Sequence, residues 1–199
     1  MTASPQDRGL VTEISDSIAI LRFDRPARRN SLSENILAQL EKTLAAIHAR
    51  DDINAVVFTG TGDFFASGAD IVELTKLTPE TALTFSKRGQ ALCQMIAGAR
   101  QTTIAAINGY CMGGALDLVL ACDIRVASRK AAFAHPGARL GIITGWGGTQ
   151  RLPRLIGRAR ALEFFTTARR VDSEEALAIG LISEVFDPVL DRALELARV

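Results

Sequence analysis

Asp117 stands three residues beyond Gly114 in "NGYCMGGALDL", the stretch from Asn108 to Leu118 that follows the apolar run "TTIAAI". Three residues are close to one helical turn, so on a helix starting at the glycines the carboxylate returns to the face of Gly114. Its neighbours Leu116, Leu118, Val119 and Leu120 are apolar, and a carboxylate among them is costly unless it has partners or a task. A cap or a structural ion pair is one reading, and proton transfer at a nearby carbon is the other. A second glycine turn, at Gly68 in "FFASGAD", also leads from a strand toward a helix. Such turns leave N–H groups at the helix start unpaired, where the dipole favours negative charge. Glycine also lets another group approach the backbone closely. Two such turns side by side would aim two N–H donors at one oxygen, an arrangement that stabilises an oxyanion or enolate. Tight strand-to-helix turns without chemistry remain the plainer reading of either one alone.

Other chemistries find little support. No glycine is followed by Lys and Ser or Thr at the spacing of a phosphate-binding loop, and neither "GTGDFF" nor "GWGGTQ" completes a dinucleotide fingerprint. "FFASG" lacks the first glycine of a nucleophile elbow. The only histidines are His48 and His135, so no metal cluster is expected. His48 lies in an amphipathic segment and reads as plain surface; His135, ending "AAFAH", is open between loop and site. A net charge of +1 over 199 residues gives no field for nucleic acid or an anionic membrane. Arginines gather in "RPARRNS" and "RLPRLIGRARA", as solvated surface or as a phosphate site. Three cysteines without metal or redox spacing point to reduced thiols and a cytoplasmic protein. The start "MTASPQDRGL" has no basic segment followed by an apolar core, so no signal peptide is expected. No run reaches the roughly 18 apolar residues of a membrane span.

These residues need a scaffold, and the sequence supplies alternating elements. "LVTEIS" and "SIAILRF" read as paired strands around Asp16, and "SENILAQLEKTLAAIHAR" as a helix capped by Ser33. "NAVVFTG" is a buried strand ending at Gly60, followed by the loop "TGDFFASGAD" and a helix from about Thr78 to Ala99. "TTIAAIN" is a strand, "GYCMGG" a turn and "ALDLVLA" a helix; "CDIRVAS" and "AAFAH" are two more strands. The irregular "PGARLGIITGWGG" precedes helices in "TQRLPRLIG", "RARALEFFTTA" and "SEEALAIG", a strand "LISEVF" and a last helix. Strands alternating with helices predict an α/β chain with parallel pairing.

From about residue 10 onward the chain resembles the enoyl-CoA hydratase/isomerase (crotonase) superfamily. The segments that carry the resemblance are "LRFDRPARRNSLS", "FFASGADIVEL", "IAAINGYCMGGALDLVLACDIRVAS", "GGTQRLPRLIG" and "ARRVDSEEALAIGLISEV". The resemblance implies a single domain over 1–199, a spiral of ββα units with the usual C-terminal helical region mostly absent, assembled as a homotrimer or dimer of trimers. It implies an acyl-CoA thioester as substrate, with coenzyme A entering as part of it and no permanently bound cofactor. The thioester carbonyl would be held by the amides of Ala69 and Gly114, with Gly113 beside them. Ala66, Ser67, Gly68 and Asp70 would line the CoA arm, and Arg28 and Arg29 would lie against its nucleotide end.

Two departures from the family pattern bear on chemistry. Family hydratases use two glutamates; here the first position is Asp117, one methylene shorter and reaching ~1.5 Å less. The second is Gly137, in "HPGAR", which has no side chain. Asp117 as principal acid/base could perform both proton steps through water. His135 could share them, its intrinsic pKa of about 6.5 being suitable, or an external anion such as bicarbonate could fill the place beside Gly137. Trp146 could narrow the acyl pocket or be a core ring. The expectation is an enoyl-CoA hydratase-like enzyme, with an isomerase, a bicarbonate-assisted enzyme and a non-catalytic acyl-CoA binder as rivals.

Overall fold

The computed structural model describes residues 8–199. The reading of the chain start as no signal peptide falls largely on residues 1–7, outside the described ones. The expected hairpin forms from β1 (Gly9–Ser15) and β2 (Ile18–Asp24), antiparallel, turning at Asp16 with φ 54°. After a short 3-10 turn comes α1 (Glu34–His48), capped by Ser33, whose Oγ accepts the Ile36 N–H. Next are β3 (Ala55–Gly60), β4 (Phe64–Ala66), α2 (Ile71–Leu74) and α3 (Pro79–Ala97), the last opened by a reciprocal Thr78–Thr81 cap. Then follow β5 (Thr102–Ile107), β6 (Tyr110–Met112), α4 (Gly114–Val119), β7 (Ile124–Ala127), β8 (Ala132–Ala134) and α5 (Gly137–Leu140). The chain continues through α6 (Gly148–Ile156), α7 (Arg158–Thr167), β9 (Val171–Asp172), α8 (Ser173–Ala178), β10 (Glu184–Val185) and α9 (Val189–Ala197).

Two sheets hold the strands, in the orders β1-β2-β3-β5-β7-β10 and β4-β6-β8-β9. Among the described residues only β1–β2 and β8–β9 pair antiparallel. Each of β3, β5 and β7 lies in the larger sheet and passes at once to β4, β6 or β8 in the smaller one, before a helix returns the chain. This is the expected spiral of ββα units. The central strands of the larger sheet are buried on both faces. Leu21, Val56, Phe58, Ala105 and Ile107 face one core with α1, α3 and α4, while Ile20, Val57, Ile104 and Ala106 face another covered by Val189 and Ala193 of α9. The alternation of these residues follows the two-residue period of a strand.

The structure corrects several assignments, the first being the expected loop "TGDFFASGAD", part of which is strand β4, paired with β6. Part of the expected turn "GYCMGG" is strand β6, because Tyr110–Met112 pairs with both β4 and β8. The stretch expected to be irregular after Pro136 contains α5. His48 is also not plain surface: it is half-buried, and its Nε2 is enclosed.

Candidate active site

The two glycine turns meet. Gly68 has φ +91°, and a Cβ built there would stand 2.6 Å from the Met112 carbonyl oxygen and 3.1 Å from the Gly114 nitrogen. Glycine is required at residue 68 both by its conformation and by this contact. The Gly68 carbonyl accepts the Leu32 N–H at 2.8 Å. Across a trans peptide the N–H points opposite to the carbonyl, so the Ala69 N–H is turned away from Leu32. The Gly113 carbonyl accepts the Asp117 N–H at 3.1 Å, which directs the Gly114 N–H out of the start of α4. Ala69 and Gly114 both line a cavity of about 420 Å³, together with Ser67, Gly68, Gly113, His135, Gly137, Thr144 and Trp146. Its remaining wall is largely apolar, with Leu74, Phe85 and Ile142 among the residues that form it.

Gly113 and Gly114 are bare for different reasons. Gly113 has φ 55° and ψ −123°, and a Cβ there would meet only Pro136, at 3.9 Å; its need is conformational. At Gly114 a Cβ would lie 2.6 Å from the Trp146 ring, and one at Gly89 of α3 would lie 2.1 Å from the same ring. The indole is clamped between two glycines and packs on Phe85 at 5.4 Å. With 3% exposure it is a core ring, and it also forms part of the cavity wall.

Asp117 has no exposed surface and is not part of the cavity wall. Its Oδ2 accepts the hydroxyl of Thr144 and, at 3.3 Å, the Trp146 N–H. Its Oδ1 lies 3.4 Å from Nε2 of His135, and neither of these two atoms has a hydrogen bond within the described residues. The loop carrying Thr144 is tied down from α3 as well, by Ser86 Oγ and Gln90 Nε2 donating to the Gly145 carbonyl at 2.9 and 2.8 Å. Burial pushes Asp117 up to about 6, against the opposing pull of Thr144, of the Trp146 and Gly148 amides and of Arg151. Burial pushes His135 down to about 4. Near neutral pH the pair is therefore a carboxylate beside a neutral imidazole. Burial also raises all three thiols, Cys93 to about 12, so none is a ready nucleophile.

The other expected contacts divide. Ser67 and Gly68 reach the cavity; Ala66 does not, because it is fully buried in the core. Asp70 caps α2 by accepting the Val72 N–H and also accepts the Ser31 hydroxyl, each at 3.0 Å, and it lies off the cavity wall. Arg28 and Arg29 are exposed and off the wall too. The Arg29 guanidinium lies 5.9 Å over the Phe64 ring, and its carbonyl accepts the Ser67 N–H. Gly137 leaves no slot of side-chain shape: a Cβ there would stand 2.5 Å from the Ile142 carbonyl oxygen. No side chain fits along that vector, while Gly137 itself lines the cavity. Within the described residues there is no group of three or more potential metal ligands, and no helix is long and apolar enough to cross a membrane.

A two-sheet spiral that brings two glycine-opened amides to the wall of one apolar cavity is the crotonase fold. The family model described as enoyl-CoA hydratase/isomerase matches residues 13–199, and the chain belongs to that family. It is 41% identical over 194 residues to YngF of Bacillus subtilis, covering 96% of this chain and 75% of that protein. It is 35% identical over 180 residues to the crotonyl-CoA hydratase of Syntrophomonas wolfei, covering 90% and 69%. Among solved structures, an enoyl-CoA hydratase from Bacillus anthracis superposes with a TM-score of 0.91 at 34% identity, over 96% of this chain and 76% of that one.

Proposed function

We propose that the protein is an enoyl-CoA hydratase-like enzyme that adds water to a 2-enoyl thioester of coenzyme A. In this reading the Ala69 and Gly114 amides hold the thioester oxygen as it gains charge, and the Asp117–His135 pair moves the proton. The observation that carries it is the contact between the Gly68 and Gly113–Gly114 turns at the wall of the cavity that His135 also lines. Preorganised donors aimed at a developing oxyanion are a leading source of rate enhancement. Ser67 and Gly68 would support the CoA arm from the same edge. The direct test is turnover of crotonyl-CoA and longer 2-enoyl-CoAs by wild type and Asp117→Ala; equal rates would remove Asp117 from the mechanism.

One observation favours a second reading. With no side chain at Gly137 the site has a single proton-moving pair, which suits migration of a double bond as well as hydration. Product analysis with a 3-enoyl-CoA separates the two: a 2-enoyl product without 3-hydroxyacyl-CoA is isomerisation. Binding of acyl-CoA without turnover of either substrate would mark a non-catalytic binder. Assembly as a trimer or dimer of trimers belongs to the same proposal and is read by sedimentation; exposed Leu155 and Leu162 on α6 and α7 are apolar surface that assembly would cover. A cytoplasmic setting is part of it as well, supported by three free, buried cysteines.

A further inference from the structure

We propose that His135 is the residue that meets the acyl substrate, and that Asp117 and Thr144 act through it as positioning residues. This rests on the hydratase reading above. Three observations carry it. His135 and Thr144 line the cavity, whereas Asp117 has no exposed surface and stands behind them. Asp117 Oδ2 is taken by the Thr144 hydroxyl and the Trp146 N–H, so only Oδ1 is left. Oδ1 is confined between His135 Nε2, 3.4 Å away, and the backbone of Gly148, where a Cβ would approach it to 2.0 Å. Oδ1 therefore faces the imidazole and the Gly148 amide, and of these two only His135 lines the cavity.

The imidazole can do both proton steps. Protonated at Nε2, the nitrogen that lies 3.4 Å from Asp117 Oδ1, neutral His135 offers Nδ1 as base. Water's oxygen bonds to the β-carbon as Nδ1 takes the water proton, and the displaced π electrons pass to the thioester oxygen, giving the enolate at the Ala69 and Gly114 amides. The imidazolium then returns the Nδ1 proton to the α-carbon as the carbonyl re-forms. One water is added, nothing is oxidised or reduced, and His135 ends neutral. Asp117 stabilises the imidazolium, and Thr144 keeps Asp117 ionised and in place. Other titratable groups around the pair are Arg151 on α6, which favours the carboxylate, and Cys93 on α3 and Cys111 on β6, which stay protonated.

The test has two independent arms. In the first, kcat for crotonyl-CoA is followed against pH in His135→Gln, Asp117→Asn, Thr144→Val and Thr144→Ser. The expected results are a loss of about 10²–10⁴-fold in His135→Gln, an acid limb moved to higher pH in Thr144→Val, and its return in Thr144→Ser. Wild-type kcat and pH profile in His135→Gln, with loss confined to Asp117→Asn, would overturn the assignment. The second arm needs no turnover. Because the chain has only two histidines, a His48→Gln background leaves His135 alone in the imidazole NMR spectrum. Its signal should move on addition of saturated butyryl-CoA, and its titration should move to lower pH in Asp117→Asn and in Thr144→Val. A signal indifferent to butyryl-CoA, or an identical titration in all three proteins, would overturn the proposal. Absence of turnover by wild type with a responsive His135 signal would instead refute the hydratase reading alone.

Discussion

The Trp146 ring occupies the space into which residue 114 would project a side chain, with the nearest ring atom 2.6 Å from the Cβ position. Gly89 flanks the same ring from α3 at 2.1 Å. Helical Gly→Ala replacements usually stabilise by about 0.5–1 kcal/mol through the unfolded chain. Here the sign should reverse. Gly89→Ala and Gly114→Ala should each cost about 1–3 kcal/mol, the range for overpacking a close-fitted core. Urea denaturation monitored by circular dichroism measures this, and a raised midpoint in either variant would contradict the clamp.

The Asp117–His135 pair predicts a stability profile with two cancelling parts. A carboxyl at about 6 against its ordinary 3.8 binds a proton more readily folded than unfolded, so its contribution falls as pH rises from about 4 to about 6. A histidine at about 4 against 6.5 does the reverse: the unfolded chain takes the proton first, and stability falls on acidification through the same interval. Asp117→Asn leaves the histidine slope, losing on the order of 2–3 kcal/mol between pH 6.5 and 4, and His135→Gln leaves a slope of opposite sign. Denaturation midpoints of both variants against pH check this; parallel slopes would refute it.

Gly68→Ala should damage the cradle itself. Its methyl would press on the Met112 carbonyl and the Gly114 nitrogen, at a φ of +91° that alanine resists. Loss of one oxyanion donor costs about 10²–10³-fold in kcat, and a loss of that order is expected, read as kcat on crotonyl-CoA. Near-wild-type turnover would place the oxyanion site elsewhere.

Asn30 holds the neighbouring loop. It is buried with φ 52°, its Oδ1 accepts the Arg25 N–H at 2.8 Å, and its Nδ2 donates to the carbonyls of Phe64 and Thr61 at 2.7 and 3.0 Å. Asn30→Ala removes these three hydrogen bonds and should cost about 2–4 kcal/mol. Thermal denaturation measures the loss, and an unchanged midpoint would remove Asn30 from this role.

Much of this was legible in the residues, for identifiable reasons. The strands of the larger sheet and helix α1 announce themselves through period and, at Ser33, a cap, whereas the Thr78 cap of α3 is seen only in the structure. The shared place of the Gly68 and Gly114 turns at strand-to-helix junctions was readable, and their contact is supplied by the structure. What stayed hidden depends on contacts between residues distant in sequence. Nothing in "GIITGWGG" marks Thr144 as the partner of Asp117, 27 positions away, or Ile142 as the group that faces Gly137. Gly114 looked bare for the sake of a ligand, but the closest neighbour to its Cβ position is an indole contributed from residue 146. Three-residue strands such as β6 are too short to show a period at all.

The clamped ring has one more consequence. Trp146 is the sole tryptophan of the chain, and it forms part of the cavity wall. The emission of the whole molecule under selective excitation thus originates from a single spot beside the Gly114 amide. An acyl group entering there would change the polarity around the fluorophore, so unlabelled protein can report its own occupancy in a cuvette.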